Sequence, residues 1–228
     1  MNSSENYQIL RIPELLQSED CREIAYALPS TFVFHFLRKD WSGFESSLTR
    51  KLRKALDTDV DTDGLVAETS MWVRAIAECT GADQPLASLR IVTPEYLERE
   101  SPSVSRYFHR DSTAVTVTKV YFGEGAVYAE NENVRREYFS TRSIQSPDVP
   151  DEEILFDPHD THVVEDGAAV LLKGEVYPDI DARSREVIDM FVPPDRIPDF
   201  NRGNGFIHKG GGFGMGDRRL VFTASIYF

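Results

Sequence analysis

From about Leu86 onward the sequence breaks into short runs separated by turn residues: Ser88 to Thr93, Ala114 to Phe122, Ala126 to Ala129, Ala168 to Lys173 and Leu220 to Tyr227. Valine, threonine, isoleucine and aromatic residues dominate these runs, and such side chains fit a pleated, half-buried surface, so they predict an all-β core. Two polar, proline-bearing stretches interrupt it, Asn131 to Asp160 and Pro178 to Gly205. Connections of that length inside a compact domain are usually functional lids or partly ordered insertions.

The first third reads as helical. A capped start at Ser18-Glu19-Asp20 predicts a helix through Leu28, with Ile24, Ala25 and Leu28 as its apolar stripe and Pro29 as its stop. A second helix is expected to open at Asp40, because Phe44, Leu48, Leu52 and Leu56 recur every fourth residue. Arg50, Lys51, Arg53 and Lys54 fall on its other face, which reads as solvated. A third spans roughly Leu65 to Cys79, with Trp72, Ile76 and Cys79 as a buried edge and Thr80-Gly81 as its end. The expected organisation is one α+β domain over 1–228, with a helical layer at 1–85 and a β core at 86–228.

Composition narrows the function classes. With 41% hydrophobic residues, 228 residues supply a proper core and a disordered chain is excluded. A net charge of −13, from 38 acidic and 25 basic residues, repels phosphate backbones and speaks against general nucleic-acid binding. Cys21 and Cys79 are too few for a disulfide framework and read as reduced. Met1 to Asn6 lacks the basic-then-apolar pattern of a secretory signal, and no apolar run reaches the roughly 18 to 20 residues of a membrane span. A soluble, cytoplasmic protein is expected.

The residues that carry chemistry centre on Tyr107-Phe108-His109-Arg110-Asp111. In an extended segment side chains alternate, so His109 and Asp111 point to one side while Arg110 points to the other. With His208, from Ile207-His208-Lys209, they form a set of two imidazoles and one carboxylate that leaves metal positions open, as non-haem Fe(II) oxygenases require. Alone, His-x-Asp also fits a pair on a surface turn. Here a strand follows it, Glu165 to Gly174 reads as a turn entering a buried strand, and a single histidine comes next, with Arg219 eleven residues beyond.

This order resembles the Fe(II)/2-oxoglutarate-dependent dioxygenase superfamily. The resemblance implies a double-stranded β-helix, a jelly-roll or cupin-like barrel, with the N-terminal helical layer packed on it. It implies Fe(II) at His109, Asp111 and His208, and 2-oxoglutarate with its far carboxylate on Arg219, whose fork suits a carboxylate. Arg219 shares its strand face with Val221, Thr223 and Ser225, whereas Arg218 aligns with Leu220, Phe222 and Ala224 and is expected against the helices. Many members carry a serine two residues after that arginine; Val221 stands here. From roughly Tyr107 to Phe228 successive blocks are also similar to an uncharacterised bacterial family. They include Phe108-His109-Arg110-Asp111, Val120 to Tyr128, Asn133-Val134-Arg135, Leu171 to Glu175 and Arg219 to Thr223.

Lys119 and Tyr121 lie on one face of the strand after Asp111, where an ammonium or phenol would reach a bound oxo-acid, and they join Arg219 as candidate cofactor-binding residues. Lys173 and Glu175 share a face at the end of their strand and are either substrate contacts or a surface pair. His159 and His162 are either a second metal site or part of a polar loop, and His35 reads as a core or edge residue. The glycines from Gly210 to Gly216 lack the following Gly-Lys-Ser/Thr of a phosphate loop. Arg106, Arg110, Lys119, Lys173 and Lys209 lie near the candidate ligands in sequence, which favours a small, polar, acidic substrate. The expected activity is a hydroxylase-type oxygenase. The alternatives are a cupin-like metal enzyme without 2-oxoglutarate, or a non-catalytic metal- or ligand-binding barrel.

Overall fold

The computed structural model describes residues 7–11, 16–37, 41–57, 59–80, 85–99, 107–111, 113, 115–139, 150–174, 205–213 and 216–226. In chain order its elements are β1 (Tyr7–Leu10), α1 (Ser18–Ala27), β2 (Val33–Leu37), α2 (Phe44–Ala55), α3 (Asp63–Thr80), β3 (Pro85–Val92) and α4 (Pro94–Arg99). These are followed by β4 (Val115–Phe122), β5 (Val127–Tyr128), a short α5 (Asp151–Ile154), β6 (His162–Val163), β7 (Ala169–Lys173), β8 (His208–Lys209) and β9 (Arg219–Ile226). The strands form a large sheet in the order β1-β7-β4-β9-β3-β2 and a small one in the order β6-β5-β8. Every pairing is antiparallel.

Alternation along the central strands gives the large sheet two different faces. Ala87, Leu89 and Ile91 of β3, Val115, Val117 and Tyr121 of β4, and Leu220, Phe222, Ala224 and Ile226 of β9 form one core with Ile24, Leu28, Leu48, Leu52, Leu65, Val73 and Ile76 from the helices. Fully burying an aliphatic side chain contributes about 1.5–3 kcal/mol, so this layer dominates the apolar stabilisation. The opposite face carries Arg90, Thr116, Thr118, Arg219, Thr223 and Ser225, which line a cavity of about 200 Å³ together with residues of β8. The cavity therefore opens on the face that the helices do not cover.

The helices follow their sequence signals with two differences. In α1 the backbone N–H of Gln17 donates to Asp20 Oδ2 at 3.2 Å, closing the first turn, and the helix ends before Pro29. The second helix begins at Phe44 rather than Asp40, because Gly43 sits at φ 78°, a left-handed conformation that interrupts helical geometry. The first third is also not wholly helical. Tyr7–Leu10 pairs with β7 and Val33–Leu37 pairs with β3, so both strands extend the large sheet at its edges. In β2 the β-branched and aromatic content of Val33-Phe34-His35-Phe36 outweighs its helical neighbourhood. His35 is exposed on that edge strand. No helix among the described residues is long and apolar enough to cross a membrane.

Candidate metal centre

His109 and His208 are locked together by backbone before their side chains meet. An isolated antiparallel bridge joins them, with His109 N donating to His208 O at 2.8 Å and His208 N to His109 O at 3.0 Å. Directly opposed residues in such a pair project to the same side, and the two rings stand 4.4 Å apart between centroids. Their neighbours Phe108 and Ile207 point the other way into a small core with Ala129, Val134, Ile154 and Leu155. That packing fixes the bridge from behind.

Asp111 completes the cluster. Its Oδ1 lies 3.8 Å from His109 Nε2 and 3.8 Å from His208 Nε2, and one ligand atom from each of the three residues falls within 4.8 Å of the others. His109 Nδ1 is 2.9 Å from the Tyr107 carbonyl and His208 Nδ1 is 3.3 Å from the Phe206 carbonyl. A carbonyl only accepts, so each Nδ1 carries the proton and each Nε2 keeps a lone pair for the cluster. Metal–nitrogen bonds are about 2.0–2.1 Å, so two ligands of one ion stand up to roughly 4.2 Å apart, and the carboxylate–imidazole separations fit. Burial, and next the field of His208, lower the His109 pKa to about 4, leaving its imidazole neutral at ordinary pH. The backbone of Asp111 and Thr113 rests on Gly174, where any Cβ would come within 1.8 Å of the Thr113 carbonyl oxygen.

Arg219 is 4% exposed and lines the same cavity. Its Nε donates to the Glu124 carbonyl at 3.0 Å, and its stem passes under Gly123, which holds φ at 90° and has no side chain to obstruct it. A Cβ at Gly123 would lie 2.5 Å from Arg219 Cγ. Burial, and next the charge of Arg90, lower the Arg219 pKa to about 10, which still leaves the guanidinium charged at neutral pH. Arg218 takes the other side, donating to the carbonyls of Ala25 and Leu28 at 3.2 Å each. Its guanidinium lies 5.0 Å from the centre of the Tyr26 ring.

Lys119 and Tyr121 do not join the cluster, which corrects their assignment to the cofactor. Both lie on the helix-facing side of β4, because odd-numbered residues of this strand face the helices. Lys119 Nζ is 2.6 Å from Glu68 Oε1 on α3, with the two side chains 4% and 0% exposed. Tyr121 lies beside them, and burial followed by the Glu68 charge pushes its phenol well above its ordinary pKa. His162 is exposed on β6, its ring 5.2 Å from Tyr128, and His159 is exposed, so neither joins the metal-ligand candidates. Cys21 is a buried thiol. Lys173 is buried, while Arg106, Glu175 and most of Pro178 to Gly205 lie outside the described residues.

Several cavity residues had no prior signal. Arg90 stands on β3 opposite Val221. Its Nη1 donates to Ser88 Oγ at 2.8 Å, and Ser88 Oγ is 2.9 Å from Thr223 Oγ1. Thr113, Thr116 and Ser225 form a second hydroxyl chain, with contacts of 2.7 and 3.0 Å. Period-two alternation from Arg219 already placed the β9 hydroxyls on its face, but finding Arg90 required the β3–β9 register.

Two antiparallel sheets with a two-histidine, one-carboxylate cluster in the cavity between them define a candidate mononuclear metal protein. The family described as "Protein of unknown function (DUF1826)" matches residues 35–184, about two-thirds of the chain, and the chain belongs to it. No curated protein matches the sequence. Among solved structures the chain is similar to a full-length Neurospora crassa protein in complex with alpha-KG and 5-formyluracil, at 12% identity, 99% of this chain, 75% of that one and a TM-score of 0.39. It is similar to the Arabidopsis thaliana dioxygenase for auxin oxidation 1 in a binary complex with 2-oxoglutarate, at 10% identity, coverages of 98% and 84%, and a TM-score of 0.41. A putative oxygenase from Shewanella oneidensis matches at 11% identity, coverages of 99% and 82%, and a TM-score of 0.41.

Proposed function

We propose that this chain is a non-haem Fe(II)/2-oxoglutarate-dependent oxygenase on a double-stranded β-helix, acting on a small polar molecule that carries an acidic group. The observation that carries this reading is the convergence of His109 Nε2, His208 Nε2 and Asp111 Oδ1 in a cavity that also holds the buried Arg219. The strand order supports the barrel: β3-β9-β4-β7 forms one side, and the His109 segment with β8-β5-β6 forms the other. His109, Asp111 and His208 would hold the iron, and the donor set fits because three protein ligands leave positions open. When bound, Fe(II) supplies oxygen activation coupled to oxidative decarboxylation of 2-oxoglutarate.

The protein's own residues bind and orient. Arg219, steered by the Glu124 carbonyl, offers its remaining N–H groups to the far carboxylate of the oxo-acid. Val221, two residues on along the same face, leaves no hydroxyl beside it. The apolar wall of Phe108, Ile207 and their neighbours excludes water behind the ligands.

Oxygen uptake and succinate release by the Fe(II)-loaded protein, with and without 2-oxoglutarate, test the reading. Succinate formation that depends on 2-oxoglutarate and falls at least tenfold in Arg219→Ala is expected. Uptake indifferent to 2-oxoglutarate would instead indicate an oxygenase acting directly on its ligated substrate. Iron binding without any uptake would indicate a non-catalytic barrel.

A further inference from the structure

We propose that Glu124 is a positioning residue for the oxo-acid: its backbone carbonyl holds Arg219, while its carboxylate holds the glycine segment that follows His208. This inference rests on the function proposed above, and it gives a role to glycines that do not form a phosphate loop.

The turn between β4 and β5 and the segment after β8 are built to lie against each other. Gly123-Glu124-Gly125 makes the turn, and Gly210-Gly211-Gly212 leaves β8 directly beyond Lys209. The antiparallel register of β5 and β8 pairs Tyr128 with His208 and Val127 with Lys209. Carried on past the strands, that register sets Gly125 opposite Gly211 and Glu124 opposite Gly212.

The contacts follow this register. A Cβ on Gly211 would lie 2.0 Å from the Gly125 carbonyl oxygen and 3.0 Å from that of Glu124, so the two backbones approach closely only because no side chain intervenes. One residue further on, the Gly212 N–H donates to Glu124 Oε2. The acceptor is a carboxylate, which makes the bond charge-assisted. On its other flank the turn rests on Val164, where a Cβ on Gly125 would lie 2.0 Å from the Val164 carbonyl oxygen, and Val164 N donates to Ala126 O at 2.8 Å. The turn is thus clasped from both sides.

Arg219 reaches the same turn from the cavity. Its Nε donates to the Glu124 carbonyl at 3.0 Å, and its stem runs beneath Gly123. Burial and then Arg90 lower the Arg219 pKa, and the charge of Glu124 opposes them. One residue therefore addresses the fork and the glycine segment through two different groups. Recognition of a carboxylate by an arginine fork is directional. Loosening the segment removes the packing on one side of the peptide that aims the fork, while the backbone bridge between His109 and His208 stays in place.

Calorimetry on the full chain loaded with Mn(II), which supports binding without turnover, compares wild type with Glu124→Ala, Glu124→Gln and Gly211→Ala. Glu124→Ala removes the acceptor and Gly211→Ala forces the segment off the turn, so each is expected to weaken 2-oxoglutarate binding about fivefold or more. Glu124→Gln keeps an acceptor oxygen and should remain within about threefold of wild type, and Mn(II) affinity should change by less than about twofold in both Glu124 variants. NMR of the same proteins carrying diamagnetic Zn(II) follows the Arg219 Nε–H resonance, identified by its absence from Arg219→Gln. Its exchange with solvent is expected to be slow in wild type and Glu124→Gln, and faster in Glu124→Ala and Gly211→Ala. Unchanged Nε–H exchange in Glu124→Ala would overturn the assignment. So would equal effects of Glu124→Gln and Glu124→Ala, because charge rather than the bond to Gly212 would then be responsible. If 2-oxoglutarate fails to bind wild type, the proposed function fails separately, and the exchange of Arg219 Nε–H still decides whether Glu124 positions this side chain.

Discussion

Lys119 Nζ and Glu68 Oε1 are 2.6 Å apart with both side chains withdrawn from water, and this pair ties β4 to α3 through the middle of the helix-covered face. Trp72 Nε1 donates to the same carboxylate oxygen at 3.4 Å. A buried pair adds little over an apolar replacement of both partners, but removing one partner strands the other charge.

Lys119→Met is therefore expected to lower stability by about 3–5 kcal/mol, whereas the double change Lys119→Met with Glu68→Leu should recover much of that loss. Chemical denaturation of the three proteins measures it. Metal affinity, measured on folded protein, should be unchanged, since the pair lies on the opposite face from Asp111. A selective loss of 2-oxoglutarate affinity in Lys119→Met would restore this lysine to the cofactor site.

Gly123 gives a contrasting case. Gly123→Ala puts a Cβ against Arg219 Cγ on a residue at φ 90°, so strain of about 1–3 kcal/mol is expected together with displacement of the guanidinium. Gly43→Ala also strains a left-handed residue, at φ 78°, but the added Cβ would meet Ser46 Oγ at an ordinary 3.7 Å. Thermal melts should show both variants destabilised, and calorimetry should show 2-oxoglutarate binding weakened in Gly123→Ala alone.

Acid should destabilise the metal-free protein partly through His109. Its folded pKa, about 4, lies below the ordinary value of 6.5, so the unfolded chain takes up this proton first as pH falls. The contribution is fully present above pH 6.5 and is lost between about 6.5 and 4, up to about 3 kcal/mol at 1.36 kcal/mol per unit. Unfolding curves of wild type and His109→Gln across that window measure it; the wild type should lose more stability on acidification than the variant does.

Much of the site was legible in sequence because its signals are local. His109 and Asp111 declare a shared face by their spacing, and Arg219 declares the polar face of β9 by alternation with Val221, Thr223 and Ser225. The choice between Arg218 and Arg219 was readable for the same reason, since Leu220, Phe222 and Ala224 mark the buried side. The parts that were missed depend on pairing between distant segments. Period two places Lys119 and Tyr121 together but does not say which sheet face looks at His109, Asp111 and His208, and the ion pair with Glu68 reverses the expected facing. Arg90 became visible only once β3 was aligned with β9. The edge strands Tyr7–Leu10 and Val33–Leu37 are too short for their pattern to stand out against helical neighbours.

The central claim is that His109, Asp111 and His208 hold one metal ion per chain. Calorimetric titration of Mn(II) or anaerobic Fe(II) into wild type and into the double variant His109→Ala, Asp111→Ala tests it most directly. One equivalent bound by wild type and none by the folded double variant is the predicted result. Unchanged affinity in the double variant would contradict the account and move the site elsewhere, with His159 and His162 as the next residues to change.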